Sequence, residues 1–398
     1  MTFSTIEQCE SPVDKVLYWE KVQPDAPFLT YYRQGEGAWV TWSWTEVAST
    51  VRKLANKIID CGALPVDGLV IIDENSPYWV IADLATQLCG CYSLPLFASM
   101  NEEELDLIVG RCEPKVAILG SPANALNALR VFENHKLSLI TSPGFTSKKS
   151  QSMVEWNDVL SCVSDTAALK RPDPKSLGTV IHTSGSTGRP KGAMHSFMSL
   201  SKAGADYATR YSQGPESRYL SYLPLSHAGE RVFVLGNCIH SGGHLYFSRS
   251  SSQFLHDLNF AMPTFLLGVP RIWEKLRLHA ASEQINHNSK TVKQLLGLEE
   301  LKVAASGAAA LPVHLYNWYR SHDIDLRNAY GQSEVLSVTA ACIEDSSVGN
   351  VGTPFSHVSL KISDDGEVLV KSDTCMLGYW EDQNLTKETI DEDGWLHS

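Results

Sequence analysis

Short uninterrupted apolar runs take turns along this chain with longer stretches in which apolar residues recur every three or four positions. Val13, Val16, Leu17 and Trp19 form an amphipathic piece, and Trp39, Trp42 and Trp44 suggest a short strand with one buried face. Ser43 with Glu46 makes a capping box ahead of Val47, Val51, Leu54, Ile58 and Ile59, and Gly62 ends that helix. Leu69 to Ile72 reads as a strand, and Ser76-Pro77 opens a helix with Val80, Ile81, Leu84 and Leu88 inside. Tyr92 to Phe97 is a further strand, Asn101 with Glu104 caps the next helix, and Val116 to Leu119 is another strand. Strands that are apolar throughout, rather than alternating, predict a parallel sheet covered on both faces.

After the polar stretch Ser142 to Gln151 the alternation resumes. Strands are predicted at Thr179 to Ile181, Tyr219 to Leu223, His244 to Phe247, Thr264 to Val269, Lys302 to Ala305 and Ile324 to Asn328. Helices are expected between them, for example Arg271 to Ala281 and Pro312 to Arg320. The fold class predicted is α/β, with two successive doubly wound, mainly parallel sheets and helices on both faces. Residues 1–175 form the first unit and 176–349 the second. From 350 to 398 the texture changes: Val358 to Ile362 and Val368 to Lys371 flank Ser-Asp-Asp-Gly, a hairpin signal, so a small β unit follows.

Composition narrows the function more than the fold. A chain of 398 residues, 43 % hydrophobic and 20 % charged, has the make-up of a globular enzyme. Its formal charge of −12 argues against a nucleic-acid partner, so any phosphate site has to be local. The nine cysteines lack paired zinc spacing, and Cys89 and Cys91 read as small buried hydrophobes. An intracellular, cytoplasmic setting is expected. No apolar run reaches the ~18 residues that span a bilayer, although peripheral membrane contact is compatible with the sequence.

The chemistry concentrates in three strand-end segments. His182 to Gly192, HTSGSTGRPKG, packs hydroxyls, glycines and Lys191 behind a predicted strand, as a phosphate cradle would. It is not a Walker loop, because Gly192 follows Lys191 where Ser or Thr is required. Ser306 to Leu311, SGAAAL, is a small-residue strand-to-helix turn. Asn328 to Glu334, NAYGQSE, offers Tyr330 as a flat face for a base, Ser333 as a hydroxyl and Glu334 as a hard oxygen ligand for Mg²⁺. All three are expected at the edge of one sheet. Leu223 to Arg231, LPLSHAGER, places His227 at the start of a helix, and His240-Ser-Gly-Gly-His244 reads as a loop before a strand rather than a zinc motif.

HTSGSTGRPKG, SGAAAL, NAYGQSE, GEVLVKSDTCMLGYW (Gly366 to Trp380) and DGWLHS (Asp393 to Ser398) stand in the order seen in adenylate-forming (AMP-binding) enzymes, and the resemblance covers almost the whole chain. LPLSHAGERV and GVPRIWEKL (Gly268 to Leu276) look most like long-chain fatty acid–CoA ligases. The resemblance implies activation of a medium- or long-chain fatty acid by ATP to acyl-AMP and pyrophosphate, then transfer to coenzyme A. Lys191, His227 and Glu334 would be the catalytic set. Thr183, Ser184, Gly185, Ser186, Thr187, Gly188 and Lys191 would hold the nucleotide phosphates. Gly307, Ala308 and Ala309, with Asn328, Ala329, Tyr330, Gly331, Gln332 and Ser333, would hold its base and α-phosphate. Thr183 and Glu334 would bind Mg²⁺, and His227, Val232, Phe233 and Gly236 would border the acyl group.

His182 stands where the family often has an aromatic, Ala310 where proline is frequent, Ser333 where threonine is frequent, and the segment from Leu278 to Leu295 is short. The family's small C-terminal lid is expected to be absent, so the chain alone should bind ATP weakly and turn over poorly. The partners expected are small molecules (fatty acid, ATP, coenzyme A), in a monomer or homodimer. An acyl-adenylate former that loads a carrier protein and a non-catalytic acyl or nucleotide sensor are the competing readings.

Overall fold

The structure, a computed structural model, describes residues 11–120, 125–145, 153–162, 172–183, 190–286, 290–341 and 347–398. Their strands sort into two large sheets and one small one. In the eight-stranded sheet Gly68–Ile72, Tyr92–Pro95, Val116–Leu119, Ser138–Thr141, Met153–Glu155 and Leu177–Thr183 run parallel. Lys191–Ser196 folds back antiparallel on Leu177–Thr183, and Gly378–Tyr379 adds to its far side. In the nine-stranded sheet six strands are parallel: Pro27–Arg33, His244–Phe247, Arg218–Ser221, Phe265–Gly268, Val303–Ser306 and Leu326–Gln332. Ala38–Ser43 closes one edge, and Val335–Ala340 with Thr353–Pro354 the other, all antiparallel. Ser359–Ile362, Val368–Lys371 and Leu396–His397 make the small antiparallel sheet.

The predicted two-faced burial is what stacks these sheets. Successive side chains of a strand point to opposite faces. Val70 and Ile72 accordingly enter an outer core with Leu105, Ile108 and Phe132, while Leu69 and Ile71 enter a central core. The nine-stranded sheet behaves likewise: Tyr219, Phe265 and Ala305 face the central core, and Leu220, Leu266 and Ala304 face a third core under Trp273 and Tyr319. The capping boxes at Ser43/Glu46 and Asn101/Glu104 are both formed, each starting its helix where the sequence predicts (Trp44–Asp60 and Glu102–Cys112). Cys89 and Cys91 are buried as expected, and burial raises both thiols, Cys91 to about 12.

Two features depart from the sequence reading. The sheets do not take the chain in two successive halves. Pro27–Arg33 and Ala38–Ser43 join the nine-stranded sheet, whereas Leu177–Thr183, Lys191–Ser196 and Gly378–Tyr379 join the eight-stranded one. The described ends of HTSGSTGRPKG, His182–Thr183 and Lys191–Gly192, thus lie on paired strands of a different sheet from SGAAAL and NAYGQSE, not beside them in one sheet. The segment His240 to His244 is also no simple loop. It holds the end of the helix Asn237–Ser241, a left-handed Gly242, and the first residue of a strand.

A buried guanidinium ties the large sheets together. Arg231 pairs with Asp83 and donates to Thr179 Oγ1 at 2.6 Å and Ser93 Oγ at 2.9 Å. Asp83 also accepts from Gln87 Nε2 at 2.9 Å. Asp83, Ser93 and Thr179 belong to the eight-stranded sheet and its inner helix, while Arg231 lies on the segment that follows a strand of the other sheet.

Candidate active site

Two β-hairpins, one from each large sheet, form the centre of the site. The first is Leu177–Thr183 with Lys191–Ser196, in which Thr183 lies opposite Lys191. The second is Leu326–Gln332 with Val335–Ala340, whose turn carries Ser333 and Glu334. The sequence reading ended the earlier strand at Asn328. Asn328, Ala329, Tyr330, Gly331 and Gln332 instead continue it, because the antiparallel partner supplies ladder bonds as far as Val335.

The motif that ends in GYW stitches the hairpins together. Leu336 N–H donates to the Thr374 carbonyl (3.2 Å) and Met376 N–H to the Glu334 carbonyl (2.7 Å). On the other side, Leu377 N–H donates to the Met194 carbonyl (2.7 Å) and Trp380 N–H to that of Gly192 (2.8 Å). Gly192 is needed for this approach: a Cβ there would lie 2.7 Å from Val180 and 3.2 Å from Trp380. His195 adds a direct link, its Nε2–H donating to the Ser333 carbonyl at 2.7 Å. Burial lowers the His195 pKa to about 4, so the ring is neutral and the proton sits on Nε2.

This stitching brings Lys191, Tyr379 and Glu334 into one cluster. Tyr379 donates its hydroxyl to Glu334 Oε1 at 2.7 Å, and Lys191 Nζ stands 5.7 Å from the centroid of the same ring. Burial and the bond to Glu334 both raise the Tyr379 pKa, keeping the phenol protonated. Among the described residues no group of three His, Cys, Asp or Glu is placed to hold a metal ion by itself. One carboxylate beside a hydroxyl and a lysine suits an ion that shares its coordination with phosphates, the ordinary pattern for magnesium. Ser184, Gly185, Ser186, Thr187 and Gly188 of the predicted phosphate cradle lie outside the described residues.

Gly307, Ala308 and Ala309 follow the strand Val303–Ser306, which pairs in register with Leu326–Gln332: Ser306 lies opposite Asn328. The two segments predicted to hold a base are therefore neighbours. Ala308 adopts φ +64°, a left-handed conformation that costs an L-residue roughly 1–2 kcal/mol, and it is exposed. Tyr330 is half-buried and packs on Val335, Val338 and Val370.

His227 belongs to a separate part of the site. Its Nδ1 accepts from Gly229 N–H at 3.0 Å, leaving Nε2 to carry the proton outward. Its side chain is solvent-exposed, yet the surrounding protein still lowers its pKa. The helix after it, Gly229–Gly236, is a π-helix, a form often found at functional positions. Glu230 on that helix is fully buried, accepts from Tyr222 N–H at 3.1 Å, and burial raises its pKa to about 8. Val232 and Phe233 are packed in the central core, Phe233 with its ring 3.9 Å from that of Tyr207. Gly236 meets Gly204 of the helix Phe197–Arg210, where a Cβ on Gly204 would lie 2.8 Å from the Gly236 backbone. Asn75 ties the LPLSH loop to the other sheet, donating to the Leu223 carbonyl (2.6 Å) and Ser221 Oγ (2.9 Å) and accepting from Leu225 N–H (3.1 Å).

Sequence reasoning missed His195, Asn75 and the role of Tyr379. The first two carry no local signal, since each acts across sheets on residues more than a hundred positions away. Tyr379 lay inside a quoted motif, but only the fold shows its hydroxyl on Glu334.

Comparison with known proteins agrees with this architecture. A fatty acyl-CoA synthetase A of Dictyostelium discoideum is 26 % identical over 425 residues, covering 92 % of this chain and 63 % of its own length. The chain thus spans less than two thirds of that relative. A long-chain-fatty-acid–CoA ligase of Mycobacterium bovis, FadD15, is 25 % identical, with 96 % of this chain and 70 % of the relative covered. Among solved structures, the anthranilate–CoA ligase AuaEII with anthranoyl-AMP superposes with a TM-score of 0.84 at 18 % identity, over 100 % of this chain and 75 % of that one. The N-terminal domain of FACL13 from Mycobacterium tuberculosis gives 0.79 at 18 % identity, over 98 % and 95 %. Residues 18–380 match the family profile of AMP-binding enzymes. Nearly the whole fold described above lies within that match, and the chain belongs to the AMP-binding enzyme family.

Proposed function

We propose that this chain carries the nucleotide and acyl site of an ATP-dependent fatty acid–CoA ligase. The observation that carries the reading is the cluster of Lys191, Tyr379 and Glu334, assembled from distant segments at the junction of two hairpins. A cation, a hard carboxylate and the hydroxyl-rich sequence between Thr183 and Lys191 are what binding of a nucleoside triphosphate needs.

In this reading Thr183, Ser184, Ser186, Thr187 and Lys191 hold the β- and γ-phosphates, with Gly185 and Gly188 letting the backbone approach. Each charge-assisted hydrogen bond contributes roughly 1.5–3 kcal/mol. Glu334 with Thr183 would hold Mg²⁺, which when bound neutralises charge on the phosphates. Gly307 to Ala309 and Asn328 to Gln332 receive the purine, with Tyr330 as its platform, and Ser333 meets the α-phosphate. His227 presents Nε2–H at the reacting carboxylate, whose oxygen displaces pyrophosphate from the α-phosphorus. Coenzyme A thiol then displaces AMP from the acyl carbon. Val232, Phe233 and Gly236 border the acyl chain, and each CH₂ they bury contributes about 0.8 kcal/mol. Few side chains can therefore set the preferred length.

ATP–pyrophosphate exchange over a series of carboxylic acids tests the activity, and calorimetric ATP binding tests the site. Exchange driven by medium- or long-chain acids, with ATP binding lost in Lys191→Ala and Glu334→Ala, is expected. Unchanged ATP binding in both variants would overturn the assignment.

A further inference from the structure

We propose that Tyr379 is a positioning residue for the Glu334 carboxylate, and that its phenol governs how tightly the site holds a divalent cation together with ATP. The proposal rests on Glu334 being the metal ligand, as read above.

The geometry is that of a ligand held by an outer partner. Tyr379 Oη donates to one carboxylate oxygen, Oε1, at 2.7 Å, and among the described residues no hydrogen bond occupies Oε2. A carboxylate fixed through one oxygen presents the other in a set direction, whereas an unsupported one rotates and spends little time aligned. Outer partners of this kind typically change metal affinity or activity by about 10- to 100-fold when removed.

Tyr379 is itself held from several sides, so its phenol has little freedom. Its residue pairs with Ala193 across the edge of the eight-stranded sheet, and its backbone N–H donates to Thr386 Oγ1 at 2.9 Å. Tyr379 is 6 % exposed and packs with Ala193, Met376 and Leu396. Gly378 before it stands at φ +139°, where a Cβ would come within 2.9 Å of Thr386. These contacts aim the hydroxyl at Glu334 before any ligand arrives. Lys191 over the same ring ties its placement to the group proposed to grip phosphate.

A purely structural tyrosine would predict something different. Its loss would lower stability and leave metal dependence alone. Tyr379→Phe keeps the ring and its packing while removing only the donor. The experiment titrates Mn²⁺ into the protein with ATP and follows nucleotide binding by calorimetry, with ATP in EDTA as the metal-free arm. Tyr379→Phe is expected to raise the Mn²⁺ concentration for half-maximal binding about 10- to 100-fold and to leave metal-free ATP binding within about twofold. Glu334→Gln should weaken the Mn²⁺ dependence at least as much, and adding Tyr379→Phe to it should cause no further loss. If Glu334→Gln shifts the Mn²⁺ dependence and Tyr379→Phe does not, the positioning role is overturned and the metal-ligand reading stands. If neither variant shifts it, Glu334 is not the ligand, and both fall together.

Discussion

Two polar clusters join the same pair of sheets, one at Arg231 and one at Glu334, and they differ in how completely their members are satisfied. Arg231 and Asp83 are almost wholly excluded from water, and the guanidinium is engaged by a carboxylate and two hydroxyls. Glu334 and Lys191 are half-buried at a rim, and among the described residues one carboxylate oxygen is engaged by Tyr379 while the ammonium stands over the same ring. A buried charge pair of this kind resists change, because losing either member strands the other in a low-dielectric interior. A rim pair with open valences suits a ligand. The first cluster keeps the sheets in register so that the second can be assembled from both.

The sharpest way to break this contrast is to remove the cation from each cluster. Arg231→Met leaves Asp83 buried without its partner and should cost about 3–5 kcal/mol in urea unfolding. Lys191→Met should move stability by no more than about 0.5 kcal/mol. A Lys191 variant as destabilised as the Arg231 one would erase the distinction. Next in size is Gly204→Ala, which pushes a methyl into the Gly236 backbone where two helices cross. Overpacking of that kind costs about 1–3 kcal/mol. The same substitution at the exposed rim glycine Gly331, where a Cβ would meet nothing closer than 3.8 Å, should be far milder.

Two buried groups carry the comparison into pH dependence, with opposite signs. The folded His195 pKa lies near 4 against an ordinary 6.5, so the unfolded chain takes up its proton first as pH falls. Its contribution to stability is complete above about pH 6.5 and declines down to about 4, with a slope of up to about 1.4 kcal/mol per unit. Glu230 has the opposite sign. Its folded pKa is near 8 against an ordinary 4.5, so the folded state keeps a proton that the unfolded state has lost. Stability declines as pH rises between those values, again by up to about 1.4 kcal/mol per unit. Glu230→Gln should flatten that limb in urea midpoints taken across the window; an unchanged limb would mean that Glu230 is charged in the folded protein. A further small effect is expected at Ala308, where glycine relieves the left-handed conformation. Ala308→Gly should raise the melting temperature, corresponding to about 1 kcal/mol.

Periodicity and punctuation alone determined much of this protein. Capping boxes at Ser43 and Asn101, the two-faced strands at Leu69 to Ile72 and Val116 to Leu119, and the hairpin around Ser363 to Glu367 are local, and short-range sterics and hydrogen bonds settle them. The motifs also pointed to Lys191 and Glu334 as chemistry. The tertiary structure alone decided which sheet each strand joins. A buried strand is apolar on both faces wherever it goes, so its sequence does not name its neighbours, and Leu177–Thr183 could pair in either sheet by its own composition. The link from His195 to Ser333 and the bond from Tyr379 to Glu334 depend on that choice. Hydrogen bonds reach only about 3 Å, and contact at that range between residues far apart in the chain is a property of the packed sheets.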